Sequence, residues 1–229
     1  MKVDIRYQPS YALAFVTLED GEGLQVEAGS MVAMSPDLQM STDARGGLLK
    51  SLSRSLFGGE SFFINTFRAG KAGDTVAVAP PLPGDINVIE MTGQPLLVQS
   101  GSYLASSEGV NVDTAWSGAD TFFGSEGLIM LRITGTGTLI VCSYGAIHSI
   151  ELAAGQRYIV DTGHLVTFEE SIDYKVKKVA GWKSTFFSGE GIVAELTGPG
   201  RLTLQSRSQD SFLSWLIPQI PQRSSGSNN

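Results

Sequence analysis

Three glutamates follow glycine turns in three related segments of the sequence, and carboxylates in such a pattern could bind a metal ion. The segments begin at residues 56, 122 and 186 and contain Glu60, Glu126 and Glu190. If they converged, three carboxylates would suit a hard cation such as Ca²⁺. The alternative is that each carboxylate accepts hydrogen bonds from backbone N–H groups of its own turn or pairs with a neighbouring strand. Because every copy keeps its glutamate, we predict this structural role and no metal site.

The two histidines are the next residues that could do chemistry. In the internal repeat, His148 aligns with two apolar residues, Ala14 and Ile86, which predicts a partly buried and hydrogen-bonded side chain. His164 aligns with serines at a turn, which predicts exposure to solvent. Neither histidine belongs to an HxH or HExxH motif, and there is no cysteine pair to support zinc.

Nucleophilic chemistry is poorly supported by the sequence. The single cysteine, Cys142, lies in the apolar run 139–142 and is predicted to be a small buried hydrophobic residue. The abundant serines include no G-x-S-x-G elbow, so a Ser/His/Asp triad has no local motif. No glycine-rich segment matches a phosphate-binding loop, and Gly135–Gly137 lies between two strands as a hairpin turn. We therefore predict no catalytic residues and no cofactor.

Alternating apolar and polar residues predict the strands that position these groups. A second segment occurs three times, and its copies align on Gly29, Gly101 and Gly163. We interpret these glycines as structural residues of the repeat. Eight residues before each of them stands another glycine, at positions 21, 93 and 155. A glycine kept at one turn position in three copies predicts a positive φ angle there.

Each unit of the internal repeat has two halves, a hairpin and the strands that pair with it. Counting these halves predicts that the two ends of the chain pair with each other. Hairpin halves begin at 56, 122 and 186, and the other halves begin at 11, 88 and 147. We expect the N-terminal strands at 11–34 to pair with the last hairpin at 186–205 and so complete the third unit. The predicted fold is all-β: three pseudo-symmetric β-sandwich or barrel-like repeats about a pseudo-three-fold axis, with two short helices. We expect residues 1–217 to form one domain and residues 218–229 to form a flexible tail.

One predicted helix lies outside the repeat, at residues 47–57. Its apolar residues recur at helical spacing, and Lys50 and Arg54 lie off this stripe. The residues predicted to form an interaction surface here are Leu48, Leu49, Leu52, Arg54 and Leu56. Such a helix could contact an anionic membrane, but with two basic residues that contact should be weak. Packing across the barrel or against a sister subunit is the favoured interpretation.

A second helix is predicted at residues 208–217, ended by Pro218. Phe212 and Trp215 give this helix an apolar surface that we place at a subunit interface.

Composition limits the functions that the chain could have. It has 229 residues, 27 glycines, 9 prolines and a net charge of −7. This acidic balance argues against nucleic-acid binding, which depends on clustered Lys and Arg. The first residues lack the apolar core of a signal peptide, and no apolar run approaches the roughly 20 residues of a membrane span. The expected location is the cytoplasm.

The combination of segments resembles a known family. The triplicated F-F-G-G-E-G-like segment, the V-x-x-G-S-like turns, the stretch G-G-L-L-K-S-L-S-R-S-L-F-G-G-E-S and the Trp-containing C-terminal helix are similar to a widespread prokaryotic family of unknown function. Its eukaryotic relative is a mitochondrial biogenesis factor named for altered inheritance of mitochondria. The resemblance covers residues 3–217. It implies tandem β-units like the subunit of the tryptophan RNA-binding attenuation protein and a homotrimer, and it implies no activity, catalytic residue or ligand.

Three functions remain for comparison. The favoured one is a non-enzymatic oligomeric scaffold or interaction protein with an unknown protein partner, linked to a membrane-associated process. The second is a small-molecule sensor with sites between β-subunits, by analogy with the tryptophan-binding ring protein. The third is an enzyme whose site forms only between subunits.

Overall fold

The computed structural model describes residues 1–41, 64–114, 129–178 and 192–221, and most of these residues lie in β-strands. The prediction of an all-β fold is confirmed. The strands fall into three consecutive groups along the chain, each of which builds two small antiparallel ladders.

The first group contains seven strands and occupies the N-terminal part of the chain. They are β1 (Lys2–Arg6), β2 (Leu13–Thr17), β3 (Gly23–Glu27), β4 (Met31–Met34), β5 (Gln39–Ser41), β6 (Ile64–Arg68) and β7 (Thr75–Val78). One ladder has the order β1-β2-β7-β4, and the other has the order β3-β6-β5.

The second group is built on one long strand. Its members are β8 (Ile86–Thr92), β9 (Leu96–Gln99), β10 (Tyr103–Ser107), β11 (Val110–Thr114) and β12 (Met130–Cys142). The first part of β12 pairs with β9 and β11, and its last part pairs with β8 and β10.

The third group repeats the same order of pairing. Its strands are β13 (Ile147–Leu152), β14 (Arg157–Asp161), β15 (Leu165–Glu169), β16 (Asp173–Lys178), β17 (Ile192–Thr197) and β18 (Gly200–Gln205). The ladders are β13-β18-β15 and β14-β17-β16.

The predicted closure of the first and last segments is wrong. Strands β2 and β4 pair with β7, and β3 pairs with β6 and β10. Among the described strands, no ladder connects residues 11–34 with residues 192–205. The reason is that the strands of the segments beginning at 11, 88 and 147 each pair with the hairpin that follows them in the sequence. Pairing along the chain also closes a shorter loop than pairing its two ends would, and so costs less conformational entropy.

Neighbouring groups are joined by strand pairs that we call junctions. Strand β10 pairs with β3 of the first group, and β15 pairs with β9 of the second group. These two junctions connect the central ladders into one 11-stranded sheet that remains open at its ends.

The core consists of the inward-facing residues of all three groups. Phe67, Tyr103 and Phe168 are among its largest fully buried side chains. Burying an apolar side chain of this size stabilises the fold by about 1.5–3 kcal/mol. Cys142 belongs to the same core, so its predicted burial is confirmed.

The three turn glycines adopt the predicted conformation. Gly21, Gly93 and Gly155 have φ angles of +72°, +99° and +75°. A Cβ atom at any of them would meet no atom within 4 Å, so the requirement for glycine comes from the backbone angle alone.

A charged triad crosses the ladder β14-β17-β16. The central residue Glu195 accepts a hydrogen bond from Arg157 Nε at 2.9 Å and another from Lys177 Nζ at 2.6 Å. The hydrogen bonds from Arg157 and then Lys177 lower the pKa of this carboxyl from 4.5 to about 2. The triad thus favours the ionised form of Glu195 in the folded protein.

Replacing Glu195 by Gln should give a pH-dependent loss of stability. Because folding lowers the pKa of this carboxyl, its contribution is complete above about 4.5 and disappears as the pH falls through about 2. Urea unfolding over this range should show a gap between wild type and Glu195→Gln at neutral pH that narrows as the pH falls. An NMR titration of wild type in which the Glu195 carboxyl titrates near 4.5 would contradict this expectation, and Arg157→Gln should raise that pKa.

Candidate interaction site at the C-terminal helix

The C-terminal helix α1 (Gln209–Leu216) begins at a well-formed cap. The side chain of Ser208 accepts a hydrogen bond from the backbone N–H of Ser211 at 3.4 Å, and Asp210 lies in the first turn. Both features favour a helix start, since they satisfy a free N–H group and complement the helix dipole. Pro218 lies in the 3₁₀ turn Ile217–Gln219 that follows. The predicted short helix ending at this proline is confirmed.

The helix rests on the β-core through one aromatic contact. The ring of Phe212 meets that of Tyr144 edge to face, with 6.1 Å between centroids. Trp215 lies beside Phe212 at 6.2 Å, so the structure brings the two predicted surface residues of this helix together. No residue of α1 is fully buried, and Trp215 and Ile217 are 64% and 61% exposed. Most of the apolar surface of the helix therefore remains uncovered.

A pocket of about 300 Å³ separates α1 from the β-core. His164 lines it together with Tyr144, Phe212 and Trp215. The Nδ1 atom of His164 is 2.8 Å from the backbone carbonyl oxygen of Gln205. A carbonyl oxygen only accepts, so Nδ1 carries the proton and donates it to this bond.

The base of the helix is fixed by a small polar network. The side chain of Gln205 accepts a hydrogen bond from the Tyr144 N–H and donates one to the Gly163 carbonyl, both at 2.8 Å. A Cβ atom at Gly163 would lie 2.6 Å from Ser208 Oγ, so the turn and the helix cap meet closely here. The turn Thr162–His164, the end of β18 and the start of α1 thus form one structural unit.

Both histidines differ from the sequence-based prediction. His164 was expected to be open to solvent, yet it is half-buried and hydrogen-bonded. His148 was expected to be partly buried, yet it is exposed on β13, which lies at the end of its sheet. The aligned residues Ala14 and Ile86 are buried, and both belong to the core cluster that includes residues of the first group.

The other predicted site residues have mixed outcomes. Gly29 has a φ angle of +92°, whereas Gly101 and Gly163 lie in the 3₁₀ turns Ser100–Ser102 and Thr162–His164. The residues of the first predicted helix and the repeated glutamates lie outside the part of the chain that the structure describes: Leu48, Leu49, Leu52, Arg54, Leu56, Glu60, Glu126 and Glu190. Their roles stay predictions.

The remaining described residues with chemically active side chains take part in structural contacts. Burial raises the pKa of the Cys142 thiol, and its Sγ atom lies 3.7 Å from the Gly101 carbonyl oxygen, which it can donate to. Within these residues, every buried polar side-chain atom has a hydrogen-bonding partner, and no three His, Cys, Asp or Glu residues could hold a metal ion. Beside them, the exposed apolar side chains of α1 border a pocket that is lined by both polar and apolar residues.

Sequence reasoning missed two further apolar surfaces. The outer faces of β4 and β14 expose Met31, Val32, Met34, Tyr158 and Ile159. The alternation of apolar and polar residues in the sequence predicts strands, but it does not indicate which strands lie at the edges of the sheets.

Comparison with known proteins identifies relatives along nearly the whole chain. Residues 3–207 match the family described as mitochondrial biogenesis AIM24. An uncharacterized protein of Streptococcus pyogenes serotype M6 is 29% identical over 233 residues, which cover 98% of this chain and 93% of that protein. The X-ray crystal structure of another Streptococcus pyogenes protein is similar with a TM-score of 0.80 at 26% identity, covering 96% of this chain and 99% of that one. Among the described residues, no helix has the length and apolarity to cross a membrane.

Replacing Ser208 by Ala should loosen α1 without unfolding the β-core. An eight-residue helix is marginal alone, and the loss of an N-cap costs about 1 kcal/mol. We expect faster hydrogen exchange at the α1 amides and a change in Trp215 fluorescence, with the exchange of the β-strands unchanged. Ser214→Ala, an exposed change within the same helix, is the matched control. Equal exchange in the two variants would show that the cap does not hold the helix.

Proposed function

Since this chain belongs to the AIM24 mitochondrial biogenesis family, we propose that it is a non-enzymatic scaffold or interaction protein that works as a homo-oligomer. A trimer is the favoured assembly. The proposed link to a membrane-associated process rests on the helix predicted at residues 47–57.

The observation that carries this proposal is the apolar surface formed by α1 and the turn that follows it. Trp215, Ile217 and Ile220 are each more than half exposed on a short segment that follows the last strand. Large apolar side chains clustered on a surface are typical of binding sites, and tryptophan is enriched at the centres of interfaces. A subunit or a protein partner that covers this surface would remove it from water.

The chemistry-bearing residues described above also favour binding over catalysis. The Cys142 thiol is buried with a raised pKa, which suppresses the reactive thiolate. His164 uses its Nδ1 proton to hold the end of β18, which is a structural task.

In this proposal the three strand groups are copies of one β-unit about a pseudo-three-fold axis. The support is a bulge that recurs at the same place in each copy: the register shifts between Met31 and Ala33, between Tyr103 and Ala105, and between Leu165 and Thr167. A bulge repeated three times is a feature of the unit itself.

Replacing Trp215 by Asp should weaken the assembly and leave the β-structure intact. Loss of a central interface tryptophan costs about 2 kcal/mol or more, which raises the dissociation constant roughly 30-fold. Light scattering across a concentration series should show Trp215→Asp falling to the mass of one 24.4 kDa chain at concentrations where wild type stays assembled.

The matched control is Ser214→Asp, which adds the same charge to an exposed neighbouring position. Circular dichroism should be the same for all three proteins. A wild-type mass of one chain at every concentration would refute the oligomer, and equal dissociation of both variants would remove Trp215 from the interface.

A second candidate function, a small-molecule sensor, is favoured by a pocket between the second and third groups. This pocket of about 500 Å³ lies between the turn after β8 and the turn after β15. Its wall combines apolar side chains such as Pro95 with Glu90, Glu169 and Glu170. An amphipathic ligand with a positively charged group would suit that lining.

A thermal-shift panel tests the sensor. Amines, amino acids, nucleotides and divalent metals should be compared, since a ligand present at 100 times its Kd stabilises the folded state by about 2.7 kcal/mol. We expect an amine-bearing ligand to raise the Tm of wild type and not that of Glu169→Gln, with Glu151→Gln as the control on a neighbouring surface. No shift in wild type across the panel would leave the scaffold as the one supported function.

A further inference from the structure

The repeat departs from its own pattern at one turn, and that turn lies at the pocket beside α1. His164 aligns with Ser30 and Ser102, which are 4% and 1% exposed. Each serine hydroxyl donates a hydrogen bond to the side chain three residues earlier, that of Glu27 or Gln99. His164 instead bonds to the end of β18 and lines the pocket. The third unit therefore has a cavity beside a position whose counterparts in the other two units are buried.

Three aromatic rings form the apolar wall of this pocket. They belong to Tyr144, Phe212 and Trp215, and neighbouring ring centroids lie 6.1 Å and 6.2 Å apart. Aromatic rings pack against one another at centroid distances of about 4.5–7 Å, edge to face or offset and stacked. A further aromatic ring in the pocket would therefore find partners that already have the spacing of a packed aromatic cluster.

The polar part of the lining is positive. Among the described residues that line the pocket, Arg207 is the one Lys or Arg, and none is Asp or Glu. This lining contrasts with the net charge of −7 of the chain as a whole. The Nη1 atom of Arg207 donates a hydrogen bond to the Ser206 carbonyl oxygen at 3.0 Å, and within the described chain no carboxylate pairs with this guanidinium. An anion in the pocket would supply a charge-assisted partner for its remaining N–H groups.

Hydrogen bonds between two turns hold the backbone under the pocket in place. The Arg207 N–H donates to the Tyr144 carbonyl oxygen at 3.2 Å. Ser206 and Ala146 are joined by two further bonds of 3.0 Å and 2.9 Å. Gly145 has a φ angle of +78°, and a Cβ atom there would clash with Ser206 Oγ. The backbone that carries Tyr144 and Arg207 is thus fixed before a ligand binds, which lowers the entropic cost of binding.

The volume of the pocket limits the size of its ligand. The pocket has about 300 Å³. A water molecule occupies about 30 Å³ of the liquid, so this space suits a ligand of roughly ten non-hydrogen atoms. One aromatic ring with a short side chain has this size.

We propose that the pocket beside α1 binds a small aromatic carboxylate. The ring lies against the wall formed by Tyr144, Phe212 and Trp215, and the carboxylate accepts hydrogen bonds from the guanidinium of Arg207. This inference goes beyond the scaffold function and does not rest on the proposed oligomer. It also differs from the sensor pocket between the second and third groups, where three glutamates favour a positively charged ligand.

Fluorine NMR of the full-length chain labelled with 5-fluorotryptophan tests the proposal, with phenylacetate as the probe. The chain has three tryptophans, and the signal of Trp215 is identified by its absence from Trp215→Phe. Phenylacetate should shift the Trp215 signal saturably and by more than the other two signals. If phenylacetate leaves the Trp215 signal unmoved up to the limit of its solubility, the proposal is wrong.

Four matched compounds separate the contribution of the ring from that of the charge. Cyclohexylacetate keeps the carboxylate without an aromatic ring, while 2-phenylethanol and 2-phenylethylamine keep the ring with no charge or a positive one. Phenyl phosphate replaces the carboxylate by another anion. All four should bind more weakly than phenylacetate. Equal or tighter binding of the amine, the alcohol or cyclohexylacetate would overturn the proposed recognition, and tighter binding of phenyl phosphate would overturn the choice of a carboxylate.

Variants of the lining locate the site. Arg207→Gln should raise the Kd of phenylacetate about tenfold, because it removes a charge-assisted hydrogen bond. Arg201→Gln is the matched control, since Arg201 is an exposed residue of β18 that pairs with Glu151 and does not line the pocket. Wild-type affinity in Arg207→Gln, or an equal loss in both variants, would remove Arg207 from the site.

A second pair of variants fills the space itself. Ser211→Leu should occupy the pocket and abolish the shift caused by phenylacetate. Ser214→Leu adds the same side chain at an exposed position of the same helix and should bind phenylacetate as wild type does. Circular dichroism should be unchanged in both. Equal binding by the two variants would place the ligand elsewhere and refute the proposal.

Discussion

Strand β12 hydrogen-bonds along both of its edges to four other strands, and the rest of the fold is connected through those bonds. Its partners β9 and β10 are the same strands that form the junctions with the third and first groups. A strand of 13 residues can do this because its two parts belong to two different ladders. The glycines in its middle, Gly135 and Gly137, have φ angles of +90° and +128°, so the backbone changes direction there without a steric penalty.

Predictions from the sequence succeeded where the signal was local and failed where it depended on the pairing of strands. Gly21, Gly93 and Gly155 were identified because a positive φ angle is a local requirement that a repeated glycine reveals. The C-terminal helix was identified because its apolar residues and Pro218 are also local signals. The closure prediction failed because a tandem repeat does not indicate where one unit begins. Counting from the hairpins left the N-terminal strands without a partner, whereas in the structure they pair with the hairpin that follows them.

The candidate site was harder to predict because it depends on neighbours that are distant in sequence. The prediction assumed that aligned residues have the same neighbours. This assumption holds in the two junctions, but it fails at the ends of the chain. His148 is exposed on β13, outside the core cluster that buries its aligned residues Ala14 and Ile86, while His164 is half-buried beside α1. Phe212 and Trp215 were identified as an apolar surface of the helix, but the contact of Phe212 with Tyr144, some 70 residues earlier in the chain, has no sequence signal.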